Sequence, residues 1–173
     1  MDLHINVRIV LSPGRFYALI VPPDTFLAGL NDNPVIGRYT TVFIGGNFSR
    51  LLNGINRTSA NFEIRRAFTV HQLLTILRED DHSIVLVEHD PTIYEDAGDV
   101  KRIVPPTMKE LSRNCIFVLY APTMDRSFSY LAHTADHLIY SENASDSIEP
   151  SVRNYSKSIK RNTGLPNSQK TLF

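Results

Sequence analysis

Glu88-His89-Asp90 sets two carboxylates around an imidazole immediately after the aliphatic run Ile84-Val85-Leu86-Val87. Such a run reads as a central strand covered on both faces, and open α/β sheets gather their ligands beyond the carboxyl ends of such strands. Two chemistries follow: Glu88 and Asp90 as oxygen ligands of a hard cation, or an acid–base group built with His89. The plainer reading is a polar loop whose carboxylates are solvated or paired with a neighbouring base. His133 and His137 stand four apart, a spacing that offers two imidazoles to a metal from one helix face. Here the helix read over residues 127–135 stops before His137, which begins a strand, so the pair reads as structural. Arg65 and Arg66 are adjacent on a short strand and point to opposite faces, which prevents a single clamp. Cys115 opens an apolar strand with no basic neighbour in sequence and reads as an inert core thiol. No Gly-x-Ser-x-Gly elbow or Cys-x-x-Cys pair occurs, so nothing local in the sequence supports covalent catalysis.

The elements that must position these residues follow from hydrophobic period. Residues 3–11 alternate, with Leu3, Ile5, Val7 and Ile9 on one side, and predict a half-buried strand; Phe16-Tyr17-Ala18-Leu19-Ile20-Val21 predicts a buried one, after a Ser12-Pro13-Gly14 turn. Pro22-Pro23 ends it, and Asp24 or Thr25 caps a short helix through Leu30. Residues 39–44 form the next strand, stopped by Gly45-Gly46. Phe48, Leu51, Leu52 and Ile55 have the spacing of a short helix. A brief strand over 62–68 precedes a helix over 70–79 capped by Thr69. The strand at 83–87 comes next, then a loop through Asp96, Gly98 and Asp99 to Pro105-Pro106, a helix over 107–113, a strand over 115–120, the helix at 127–135 and a last strand over 137–140. Strands alternating with helices predict a mostly parallel α/β sheet with helices on both faces. Residues 1–142 form that domain.

The length of 173 residues suits one compact domain, and 42% apolar with 21% charged residues is a globular composition. One cysteine cannot form an internal disulfide and fits a reducing compartment. No apolar run reaches the roughly 18 residues of a membrane span, and the first residues do not read as a signal peptide, so the expected setting is cytoplasmic, away from membranes. A formal net charge of zero conceals an asymmetry. Residues 152–173 carry Arg153, Lys157, Lys160, Arg161 and Lys170 and no acid, a charge of +5; the remainder has 13 basic against 18 acidic residues, a net −5. The Ser- and Asn-rich stretch 143–173 reads as a mobile basic tail. Arg153, Lys157, Lys160 and Arg161, with Tyr155 nearby, make a loose arm for nucleic-acid backbone, or a solubilising tail. Gln169-Lys170-Thr171-Leu172-Phe173 is similar to a shortened sliding-clamp motif, with Gln169 at a turn and Leu172 and Phe173 as plugs for an apolar pocket.

Three stretches in order resemble the core of the RecA-type recombinase family, in particular its archaeal RadA and KaiC-like branch, over residues 15–142. Ile64-Arg65-Arg66-Ala67-Phe68 with Gln72-Leu73-Leu74 is similar to the strand and helix before the family's Walker B strand. Residues 83–88 resemble that strand itself, with Glu88 where the family usually has a metal-coordinating aspartate and Asp90 close behind. Residues 117–120 and Ala135-Asp136-His137-Leu138-Ile139-Tyr140 resemble the elements that follow. The resemblance implies a P-loop NTPase fold.

The departures bear on activity. Where the family's first strand enters a phosphate loop of the form Gly-x-x-x-x-Gly-Lys-Ser/Thr, this chain reads Val21-Pro22-Pro23-Asp24-Thr25-Phe26-Leu27-Ala28-Gly29. The lysine is missing, Pro22 and Pro23 lack amide donors, and Asp24 repels phosphate. Tyr120-Ala121-Pro122 lacks the family's polar sensor, and the ten residues between Pro122 and His133 leave no room for the long DNA-binding loop of strand-exchange recombinases. The resemblance therefore implies a degenerate, non-hydrolysing member without a cofactor. Its expected role is accessory, through contact with a protein partner such as a recombinase or sliding clamp in DNA repair or recombination, with self-association through a retained subunit surface. The competing expectations are an enzyme or small-molecule or metal binder using Glu88, His89 and Asp90, and nucleic-acid binding through the tail.

Overall fold

The computed structural model describes residues 1–31 and 33–141. The tail, with Arg153, Lys157, Lys160, Arg161, Gln169, Leu172 and Phe173, lies outside the described residues. The elements run β1 (Leu3–His4), β2 (Val10–Leu11), β3 (Arg15–Ile20), α1 (Pro23–Asn31), α2 (Pro34–Arg38), β4 (Thr41–Gly45), β5 (Phe62–Arg66), α3 (Val70–Glu79), β6 (Ile84–Glu88), α4 (Val104–Leu111), β7 (Ile116–Ala121), α5 (Arg126–Ala132) and β8 (His137–Tyr140). Two 3₁₀ turns, Pro91–Tyr94 and Gly98–Ile103, lie between β6 and α4.

Six strands form one parallel sheet in the order β5-β4-β6-β7-β3-β8. The alternating side chains of its strands feed two apolar layers. Phe16, Ala18, Val85, Val87, Phe117 and Leu119 pack with α3, α4 and α5 on one face. Tyr17, Leu19, Phe43, Leu86, Val118 and Tyr120 pack with α1, α2 and the first eleven residues on the other. Connections that step toward β5 run over the second face and those that step back toward β8 run over the first, the arrangement that right-handed crossovers require. The parallel α/β sheet with helices on both faces is thus the one the alternation predicts.

Local chemistry explains both the matches and the corrections. Thr69 caps α3 by accepting from the Gln72 amide at 3.3 Å while the Gln72 side chain accepts from the Phe68 amide at 2.8 Å, which fixes the start at Val70. The alternating stretch 3–11 is not one strand. Asn6 Oδ1 accepts from the amides of Arg8 and Ile9, and Ile5 bonds Ile9, so the chain doubles back and β1 pairs antiparallel with β2. Val7, at the turn, is 99% exposed although its period placed it inward. The helix expected over 48–55 is a turn in which Leu51 and Ile55 are buried and Phe48 is 75% exposed. The α4 helix begins at Val104, ahead of the expected 107, because prolines at 105 and 106 fall in its first turn, where no amide donor is needed. The α5 helix ends at Ala132. The short α2, started by the Asn33 side chain on the Val35 amide at 3.0 Å, has no apolar stripe that the sequence could show. Among the described residues no helix is long and apolar enough to cross a membrane.

Candidate functional site

Parallel strands deliver their carboxyl ends to one edge, so Glu88, the Gly45-Gly46 turn after β4, Ala121 and Pro22 share a rim. The rim has two crevices where connections leave toward opposite faces: between β4 and β6, and between β7 and β3. Ligands of open α/β sheets sit in such places.

The first crevice is closed by residues 46–52. Glu88, 3% exposed, accepts from the Arg50 amide at 2.8 Å through Oε1 and from the Ser49 hydroxyl through Oε2. Ser49 in turn accepts from the Leu52 amide at 3.1 Å. Burial pushes the Glu88 carboxyl above its ordinary value, against the lowering effect of the Ser49 hydroxyl and the Arg50 and Leu51 amides. Asp90 holds the other end of the segment. Its Oδ2 accepts from the Phe48 amide at 2.9 Å; its Oδ1 accepts from the Thr92 amide at 3.0 Å and the Thr92 hydroxyl at 2.7 Å. Burial alone would raise this carboxyl, but the bonds from Phe48, Thr92 and Asn47 outweigh it and hold Asp90 below its ordinary value. A Cβ on Gly46 would stand 2.5 Å from Asp90 Oδ2, so only glycine lets the segment lie this close to the carboxylate.

His89 faces the opposite layer. Its Nε2 lies 2.9 Å from Asp125 Oδ2, and its ring stacks on Tyr94 with centroids 5.8 Å apart and meets Phe128 edge-on at 5.5 Å. Burial lowers the imidazole below its ordinary value despite the opposing charge of Asp125. A neutral ring donating from Nε2 leaves Nδ1 as an acceptor, and this buried atom has no hydrogen-bond partner among the described residues, nor has the Tyr94 hydroxyl. Asp125 also caps α5 by accepting from the Phe128 amide at 2.7 Å. The three side chains that the sequence sets side by side therefore diverge: Glu88 and Asp90 each hold backbone of residues 47–51, and His89 pairs with Asp125. No group of three or more His, Cys, Asp or Glu among the described residues is placed to hold a metal ion.

The second crevice is closed by α1. Only Val21 and Pro22 separate β3 from α1; Pro23, Asp24 and Thr25 are its first turn, so the position expected for a phosphate loop holds no loop. The Phe26 amide bonds back to the Pro22 carbonyl at 3.1 Å. Its fully buried ring stacks on Tyr120 of β7, centroids 4.2 Å apart and planes 8° from parallel. The Thr25 and Tyr120 hydroxyls are buried there without partners among the described residues.

The remaining residues fall where their spacing put them. Arg65 pairs with Glu63 at 2.6 Å, whereas Arg66 donates to the Gly46 carbonyl at 2.7 Å and lies over Phe68. His133 sits at the end of α5 against the Tyr130 carbonyl, and His137 stacks on Tyr17, so they share no ligand. Cys115 donates to the Leu111 carbonyl at 3.3 Å, and burial pushes its thiol up to about 12. The native protein is expected to leave a thiol reagent unreacted at pH 7 and to react with one equivalent in denaturant; a thiol titration checks this. Sequence reasoning missed Asp125, whose place three residues before Phe128 is an N-cap signal, and the segment 46–52, whose bonds run to residues about forty positions away and leave no local signal.

No family model matches the chain. The chain is 32% identical over 140 residues to an uncharacterized protein of Archaeoglobus fulgidus, a match that spans 80% of this chain and 70% of that protein.

Proposed function

The chain belongs to one family with this uncharacterized archaeal protein, and for it we propose a non-hydrolysing, RecA-like accessory role in the cytoplasm, exercised through contact with a protein partner. One observation carries the reading: both crevices of the sheet's carboxyl rim are filled by the chain itself, by residues 46–52 on Glu88 and Asp90 and by Phe26 on Tyr120. A carboxylate that coordinates magnesium must offer its lone pairs to the ion. Here the Glu88 and Asp90 oxygens accept from the Phe48, Arg50 and Thr92 amides and from the Ser49 and Thr92 hydroxyls. A phosphate loop of the P-loop type holds its nucleotide with free backbone amides and a lysine. Pro22 and the first turn of α1, with Pro23 and Asp24, stand there instead.

Packing against a neighbour requires none of this, so a subunit surface outlasts the loss of catalysis. The partner that fits the resemblance is a recombinase or another DNA-repair protein, with Gln169, Leu172 and Phe173 as a clamp-binding end and Arg153, Lys157, Lys160 and Arg161 as a contact to nucleic acid. Two measurements test the reading. The purified chain is expected to release no phosphate from ATP with magnesium above the buffer background; turnover that falls in Glu88→Gln overturns the loss of hydrolysis. Mixed with a purified RadA-type recombinase or a sliding clamp, it is expected to co-elute with one of them. Elution apart from both overturns the partner assignment.

A further inference from the structure

We propose that the groove between the 3₁₀ turn Gly98–Ile103 and α5 is a binding site for a small molecule carrying a diphosphate group. The groove, open to solvent, has a volume of about 460 Å³ and is lined by Gly98, Lys101, Arg102, Arg126, Ser127 and Tyr130. Three of its six lining residues are cations and none is an acid, in a body that is net acidic outside the tail. A cleft lined by one sign of charge concentrates its field inward and favours the opposite ion.

Lys101 is held ready for it. Its ammonium lies 3.2 Å from Ser127 Oγ, 5.6 Å from the centre of the Tyr94 ring and 5.4 Å from that of Tyr130. Two aromatic faces and a hydroxyl fix the charge without neutralising it, so little side-chain entropy remains to be lost when an anion arrives. Arg102 has an ion pair with Asp99, at 3.4 Å and exposed on both sides. Exposed pairs of this kind are weak, and an incoming phosphate displaces it readily. Arg126, on the first turn of α5, forms no ion pair among the described residues. Two guanidinium forks and an ammonium match the several oxygens of a diphosphate better than those of a single carboxylate. The volume lies within the roughly 300–1,000 Å³ of small-molecule sites.

This site stands apart from both filled crevices and does not depend on whether hydrolysis is lost. Calorimetric titration of the full chain with inorganic pyrophosphate at physiological salt tests it. One binding site is expected, weakened at least about tenfold by Lys101→Met and likewise by Arg126→Gln, the loss that follows when a charge-assisted hydrogen bond is removed. Arg78→Gln, on the exposed side of α3, is expected to leave the affinity unchanged, and the circular dichroism melt of each variant confirms that it folds. Pyrophosphate binding that survives both groove substitutions lies outside the groove and overturns the proposal, as does the absence of binding. A single-stranded oligonucleotide whose binding needs Lys101 and Arg126 where pyrophosphate does not bind overturns it too, by making the occupant a nucleic-acid backbone.

Discussion

Asp90→Ala is expected to lower the unfolding free energy by about 3–5 kcal/mol, because it strips acceptors from several donors at once and charged hydrogen bonds are worth roughly 1.5–3 kcal/mol each. The Phe48 and Thr92 amides and the Thr92 hydroxyl all aim at this carboxylate, and the alanine methyl replaces none of them. Asp90→Asn is expected to be nearly as harmful, since its amide nitrogen would confront a backbone donor on whichever side it turned. Denaturant midpoints read both variants. A loss below about 1 kcal/mol for Asp90→Ala would mean that residues 46–52 are held by their own packing and that the carboxylate is spare.

The pH dependence separates this group from its neighbour. Asp90 sits below its ordinary 3.8 in the folded chain, so its contribution is complete above that value and is lost as pH falls through the folded value. Glu88 sits above its ordinary 4.5, so the folded state takes up the proton more readily than the unfolded chain. Acidification from the folded value toward 4.5 therefore favours folding through Glu88. Glu88→Gln, whose carbonyl still accepts from Arg50 and whose amide can donate to Ser49, is expected to keep or raise the neutral-pH midpoint and to remove that gain, while the collapse below 3.8 remains. A Glu88→Gln variant less stable than the parent at neutral pH would show that the charge itself is needed there.

These opposed carboxylates mark how far the sequence could be read. The strand at 84–88, its burial and its place beside other parallel strands are local properties of an aliphatic run between polar turns, and Thr69 with Gln72 announces α3 in four residues. What Glu88 and Asp90 touch is another matter. Their partners at positions 48–50 come from a segment whose apolar spacing suggests a helix, and nothing in that spacing shows that its amides will meet carboxylates about forty positions further along the chain. The turn at Asn6 escaped for a similar reason, since a side-chain acceptor overrode an alternating pattern that otherwise reads as one strand. The cationic groove gathers Lys101 and Arg126 from two separate connections at the same rim, and only the sheet order brings those connections together.

Phe26→Ala is expected to cost about 3–5 kcal/mol, the usual loss when a fully buried aromatic ring is cut to a methyl and its site cannot collapse. Collapse is resisted on both sides. Tyr120 belongs to the central strand β7, and α1 is pressed against residue 5 so closely that a Cβ on Gly29 would stand 2.3 Å from the Ile5 carbonyl oxygen. Phe26→Leu, which keeps most of the volume but not the stacked ring, is expected to cost less than about 1.5 kcal/mol beyond its lost burial. Against a total of about 5–15 kcal/mol for a domain, the alanine variant still folds, and equilibrium denaturation measures the difference. The variant also tests whether the ring is a plug in front of a working site. Emptying the crevice uncovers Tyr120 and the start of α1, where Pro22 and Pro23 offer no amides. ATP turnover is accordingly expected to stay at background in Phe26→Ala; turnover appearing on removal of this one ring would make Phe26 an occluding group over a working catalytic centre.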